Sequence, residues 1–132
     1  MRKTYTYVTV LSVIFIGIIA YLAYNQKPDE IPAEEACQNA RAGNYDYIVD
    51  VRTKKEWDEG HLPNTISIPI GNLVNELPEN IKNKNARILF VCKKGIRASG
   101  VVTIAHKLGY NNVQAMIGNF SALKGCLQNQ TI

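Results

Sequence analysis

The chain has 132 residues, 46% hydrophobic and 20% charged, with a formal net charge of +4, a length that allows one modest domain. Arg2 and Lys3 precede a long apolar stretch, and setting them aside leaves 13 Lys and Arg against 11 Asp and Glu. So small a surplus gives no argument for nucleic-acid binding, and two distant histidines without a Cys-x-x-Cys pair argue against a structural zinc centre.

From Thr4 to Gln26 no side chain is charged, and Val8 to Tyr24 is almost wholly apolar. At about 1.5 Å per residue, such a helix spans most of the roughly 30 Å hydrocarbon layer of a membrane. Tyr5, Tyr7, Tyr21 and Tyr24 lie near its two ends, where interfacial aromatics are expected. A cleaved signal peptide is the competing reading, but cleavage after Ala23 or Ala20 would put Tyr21 or Ile18 at the −3 position. Residues 1–26 are therefore expected to be an uncleaved anchor, 27–31 a linker and 32–132 the folded domain. Basic residues before the span keep the N-terminus in the cytoplasm and put the domain outside, periplasmic or extracytoplasmic.

Pro32 opens a short helix through Ala33–Ala40, closed at Gly43. The β-branched and aromatic run Tyr45–Val51 reads as a strand. Thr53 with Glu56 three residues later fits a capping box for a short helix ended by Gly60. Ile66–Ile68 is a brief strand stopped by Pro69, followed by a short helix near Leu73–Leu77 and a polar turn, residues 80–85. Arg87–Val91 reads as a buried strand. Ala98, Val101, Val102, Ala105 and Leu108 recur at helical spacing as one buried face, with Gly109 placed to end the helix. Val113–Ile117 is the last strand and Phe120–Leu127 the last helix. Strands alternating with helices predict an α/β fold with a parallel sheet covered on both faces.

The sequence Cys92-Lys93-Lys94-Gly95-Ile96-Arg97 stands where the buried strand ends and the helix begins. Backbone N–H groups at such a turn converge, and the helix N-terminus adds partial positive charge. Lys93, Lys94 and Arg97 crowd the same few residues. This setting favours a thiolate, the reactive form. Cys92 reads as a nucleophile, with Lys93, Lys94, Gly95, Ile96 and Arg97 shaping a substrate anion site.

These residues, taken together, resemble a rhodanese domain. Asp50-Val51-Arg52, Glu56-Trp57, Gly60-His61-Leu62-Pro63 and Ile66-Ser67-Ile68-Pro69 look like its first half. Phe90 to Ala98 looks like its active-site loop, and Leu108-Gly109-Tyr110 to Val113, then Gly118, like its closing segment. The resemblance covers roughly residues 31–127 and implies a sheet of about five parallel strands, preceded here by the one transmembrane helix. It also implies sulfurtransferase chemistry without metal or other cofactor. Cys92 would carry sulfane sulfur from a small anionic donor such as thiosulfate to cyanide, a thiol or a protein acceptor. Ala98 stands where serine is common, Gly118-Asn119 replaces a Gly-Gly pair, and Leu123 stands near a usual tryptophan.

Related phosphatases place five residues between cysteine and arginine, enough to wrap a phosphate; Cys92 and Arg97 enclose four. Phosphatase or arsenate reductase activity is thus the weaker alternative. A tethered sulfur-carrier or redox-sensing module that does not turn over is the non-enzymatic one. His61 reads as tying a loop down, His106 as surface, and Trp57 as core or half-buried. Asp50 and Arg52 are expected to pair with neighbours and order the carboxyl edge of the sheet. In such a fold the first and last helices can lie close, so Cys37 and Cys126 form either a disulfide, permissible outside the cytoplasm, or two ordinary apolar contacts.

Overall fold

The computed structural model describes residues 1–24, 29–93 and 96–129, with Ile96, Arg97 and Ser99 described by their backbone alone. Arg2–Tyr24 forms α1, a 23-residue helix with no buried residue and a mean hydropathy of 2.2 over its most apolar window. It is long and apolar enough to cross a membrane. Its Thr6, Thr9 and Ser12 hydroxyls donate to the carbonyls of Arg2, Thr6 and Thr9, so these polar groups are satisfied within the helix.

In chain order the remaining elements are β1 (Glu30–Pro32), α2 (Ala33–Arg41), β2 (Tyr47–Asp50), α3 (Lys54–Asp58) and β3 (Ile66–Ser67). A 3-10 turn over Ile70–Asn72 then leads into α4 (Leu73–Asn80), β4 (Ile88–Val91), α5 (Ile96–Lys107), β5 (Val113–Ile117) and α6 (Phe120–Gln128). Five strands form one parallel sheet in the order β1-β5-β4-β2-β3. Ile88, Leu89, Phe90 and Val91 are all buried, because β4 sits at the centre and is covered on both faces.

Side chains alternate between those faces. Val49, Phe90 and Cys92 join one core with Leu73 and Leu77 of α4 and Ala98, Val101, Val102 and Ala105 of α5. Ile31, Leu89, Val91 and Met116 join the other with Ala36 and Cys37 of α2 and Phe120 and Leu123 of α6. The predicted apolar stripe of α5 is therefore its packing face, with Leu108 half-buried at its end. Gly109 follows at φ +92°, the left-handed conformation that ends the helix without a Cβ penalty.

Beyond shifts of one or two residues at element ends, two boundaries differ from the sequence reading. Glu30 and Ile31, expected in the linker, belong to the sheet: β1 pairs with Ala115–Ile117 of β5, and Ala115 N–H donates to Asp29 O at 2.7 Å. A three-residue edge segment carrying a charge and a proline has no strand signal of its own, and tertiary pairing supplies the conformation. α4 also runs three residues past Leu77, through Pro78.

Candidate active site

The sheet topology creates an opening at one place. From β2 the chain crosses outward to β3, whereas from β4 it crosses the other way to β5. The loops leaving neighbouring strands β2 and β4 thus diverge, and in an open parallel sheet such a switch point leaves a crevice at the carboxyl ends of the strands. Asp50 and Arg52 stand on one side of it and Cys92 on the other.

Cys92 directly follows β4 and is a free cysteine only 1% exposed. Lys93 is exposed beside it. Ile96 and Arg97 begin α5; Lys94 and Gly95 lie outside the described residues. The structure therefore places Lys93 at the opening, with Cys92 buried directly before it in the chain.

Asp50 and Arg52, expected to pair with neighbours, form a buried pair with each other. Arg52 Nε donates to both Asp50 carboxylate oxygens at 2.9 Å, and its Nη2 donates to Asp50 Oδ2 and to Gly60 O, each at 2.8 Å. With Asp50 1% and Arg52 5% exposed, the hydrogen bonds offset the cost of burying two charges. The Arg52 guanidinium also lies 3.8 Å from the centre of the Phe120 ring, a cation–π contact.

Gly60 is favoured by its backbone: its φ is +147°, which L side chains rarely adopt, whereas Lys124 Nζ, 3.2 Å from where a β-carbon would stand, ends a flexible side chain that can move aside. The capping box predicted for α3 is present: Glu56 N–H donates to Thr53 Oγ1, and Thr53 N–H donates to Glu56 Oε2.

Asn119 caps α6 by accepting from Ser121 N–H at 3.0 Å, so the residue that replaces a glycine by resemblance has a structural use here. Phe120 N–H donates to Lys93 O at 3.1 Å. A cleft of about 180 Å³ opens here, lined by Arg52, Glu56, Glu59, Gly60, Lys93, Asn119, Phe120, Ser121 and Lys124. Arg52, Lys93 and Lys124 share this lining with Glu56 and Glu59, and the space suits a small ligand rather than a large one. Glu59, Ser121 and Lys124 were not singled out from the sequence, and Asn119 was noted there only as a departure from a Gly-Gly pair. Nothing linear joins them, and only the return of α6 to the sheet edge brings them together.

The histidines lie apart from this arrangement. His61 stacks on Trp57 with ring centres 3.8 Å apart, and its Nδ1 donates to Trp57 O at 3.0 Å, tying the loop as expected. His106 is on the surface, yet it also fastens two loops. Its Nδ1 donates to Tyr110 O at 2.9 Å, and its Nε2 lies 3.3 Å from Asp29 Oδ1.

Cys37 and Cys126 form a disulfide across 89 residues, with their Cα atoms 6.3 Å apart, within the span such a bridge needs. It joins α2 to α6.

Comparison with known proteins agrees with this architecture. A tRNA sulfurtransferase of Thermoplasma acidophilum is 26% identical over 77 residues, covering 58% of this chain and 14% of its own. A mitochondrial thiosulfate sulfurtransferase of Saccharomyces cerevisiae is 31% identical over 85 residues, covering 56% of this chain and 57% of its own. The chain thus spans less than two thirds of the length of either relative. Among solved structures, the rhodanese-like domain of an Anabaena protein superposes with a TM-score of 0.66 at 21% identity, covering 75% of each chain. The five parallel strands, their flanking helices and that superposition establish a rhodanese-like fold. Residues 32–126 match the family model described as the rhodanese-like domain, and the chain belongs to that family.

Proposed function

We propose that this protein is a sulfurtransferase that moves sulfane sulfur from a small anionic donor, such as thiosulfate, to a thiophilic acceptor through a persulfide on Cys92. The observation that carries the reading is the position of Cys92: a free cysteine at the carboxyl end of the central strand, at the switch point of a rhodanese-like sheet. In the first half-reaction the Cys92 thiolate attacks the outer sulfur of thiosulfate. The donor S–S bond breaks, sulfite leaves with the bonding pair, and a persulfide remains. In the second, cyanide or a thiolate attacks the terminal sulfur, the bond to Cys92 Sγ breaks, and the thiolate is restored.

Two anions must meet in each step, so cations and N–H dipoles around the sulfur lower the barrier. In this reading Lys93, Lys94, Gly95, Ile96 and Arg97 are the residues that supply them. Lys124 lines the neighbouring cleft, where Arg52 is already paired with Asp50. α1 anchors the protein in a membrane, with Arg2 and Lys3 on the cytoplasmic side and the domain outside, where a Cys37–Cys126 bridge persists.

A second reading has one observation in its favour. At 1% exposure, a sulfur held on Cys92 is shielded from dilute nucleophiles, which suits a carrier that discharges only to a docked protein.

Mass spectrometry of the full-length chain after thiosulfate treatment tests the proposal. One added sulfur mapped to Cys92, and lost in Cys92→Ser, is expected. A shift that is absent, or that survives on Cys37 or Cys126, overturns it. Steady-state turnover with cyanide supports the enzyme, whereas loading once without turnover supports the carrier. Protease protection of the domain in sealed inside-out vesicles is expected, and digestion there would reverse the orientation.

A further inference from the structure

One short helix connects the disulfide to the Cys92 loop. Phe120, the first residue of α6, donates its N–H to Lys93 O at 3.1 Å and sets its ring 3.8 Å from the Arg52 guanidinium. Near the other end, Cys126 is bonded to Cys37 of α2, and Arg41 at the end of α2 donates to the Cys126 carbonyl. Cys37 is 1% exposed, within the core that α2 shares with Ile31 and Met116 of the sheet. α6 is therefore fastened to the sheet through α2 at one end and to the residue after Cys92 at the other.

On its own α6 is a weak helix. It has nine residues, and Gly125 stands inside it with open space where a side chain would be. So short a helix, carrying a glycine, depends on tertiary attachments. Its C-terminal half is only partly buried, which leaves the covalent bridge as the strongest of those attachments.

We propose that the Cys37–Cys126 disulfide is a positioning device for Cys92. It holds α6 where Phe120 supports the carbonyl of Lys93, so the accessibility and reactivity of Cys92 depend on the bridge being oxidised. A dithiol reductant would open the bridge by exchange, leaving thiols at Cys37 and Cys126 while its own two sulfurs join, and would loosen the Cys92 loop without touching it. The activity arm of this inference rests on the sulfur-transfer reading; the structural arm does not.

The test compares the full-length chain with a Cys37→Ala/Cys126→Ala double variant, both in detergent and well below their unfolding transitions. Amide exchange at Phe120 is expected to rise about tenfold or more, while that of Phe90 in β4 changes by less than about twofold. Cys92 should become faster to alkylate with iodoacetamide yet about tenfold slower to take up sulfur from thiosulfate. Unchanged Phe120 exchange and unchanged Cys92 alkylation overturn the proposal. So does a uniform rise in exchange across the domain, which is what a merely stabilising bridge gives. A second variant adds Gly125→Ala to the pair, holding α6 helical without the covalent tie, and gives the same readouts if the double variant does not fold. If the bridged chain takes up no sulfur at all, the function reading fails, while exchange and alkylation still decide this one.

Discussion

The backbone N–H of Phe120 donates to the carbonyl oxygen of Lys93 at 3.1 Å, joining the first turn of α6 to the residue after Cys92. The loop is thus set from two sides: by the end of β4, and by a helix on the opposite face of the sheet. That helix begins where it does because Asn119 accepts from Ser121 N–H.

Removing the cap tests this arrangement. Asn119→Ala is expected to cost about 1 kcal/mol, the ordinary worth of an N-cap side chain, and to lower the melting temperature by roughly 4–8 °C. Sulfur uptake by Cys92 should slow at temperatures where the variant remains folded. Asn119→Ser, which can still cap, should recover both. Equal behaviour of the two variants in a thermal melt would show that the cap plays no part.

The Asp50–Arg52 pair makes a second expectation. Asp50→Ala leaves a buried guanidinium without its carboxylate and should cost about 3–5 kcal/mol. In Asp50→Ala/Arg52→Met no charge is left behind, and much of that loss should return. Urea denaturation of both variants checks this, and a double variant as unstable as the single one would refute the account. Arg52 also supports Gly60 and Phe120, so the double variant should still show a disturbed cleft through weaker anion binding.

Acid stability should depend on Asp46. Its carboxylate accepts from Arg87 Nη2 at 2.7 Å and from Arg87 N–H at 2.8 Å. The Arg87 side-chain hydrogen bond, then its backbone one, hold the Asp46 pKa down at about 2 against an ordinary 3.8. A folded value below the unfolded one means the stabilisation is present above the ordinary value and is lost as pH falls toward the folded value. Asp46→Asn should therefore melt below the parent chain at pH 6, and the gap should close as the pH approaches 2. A gap independent of pH would assign the effect to something other than ionisation.

Tyr110 is fully buried, and its hydroxyl donates to Ile81 O at 2.6 Å. Tyr110→Phe keeps the ring, and its contact with Lys84 Nζ at 4.0 Å, but leaves the buried Ile81 carbonyl short of a partner. A loss of about 1–3 kcal/mol is expected by denaturant titration, with sulfur uptake by Cys92 unaffected in the folded protein.

Much of this was legible in the sequence because short-range rules governed it. The apolar run before Cys92, the stripe from Ala98 to Leu108 and the Thr53–Glu56 capping box each express a local period or cap, and each is found. β1 was not legible, since Glu30–Pro32 becomes a strand only because β5 presents Ala115–Ile117 to pair with it. The cleft was not legible either: Glu59, Lys93 and Lys124 come from three separate stretches of the chain. The Asp50-Val51-Arg52 motif announced two charges at a strand end, but not that Arg52 would reach Gly60 O and lie over Phe120. For Cys37 and Cys126 the sequence left a bridge and two apolar contacts open, and the placement of α2 beside α6 selects the bridge.

Alternation along β4 has a chemical consequence. Cys92 packs with Phe90 on one side of the sheet, and Cys37 with Leu89 and Val91 on the other. Thiol–disulfide exchange requires a sulfur to approach the S–S bond directly, and a ladder of peptide hydrogen bonds stands in between. While the chain stays folded, the unpaired sulfur cannot scramble the bridge, so one small domain keeps an oxidised pair and a free thiol without either consuming the other.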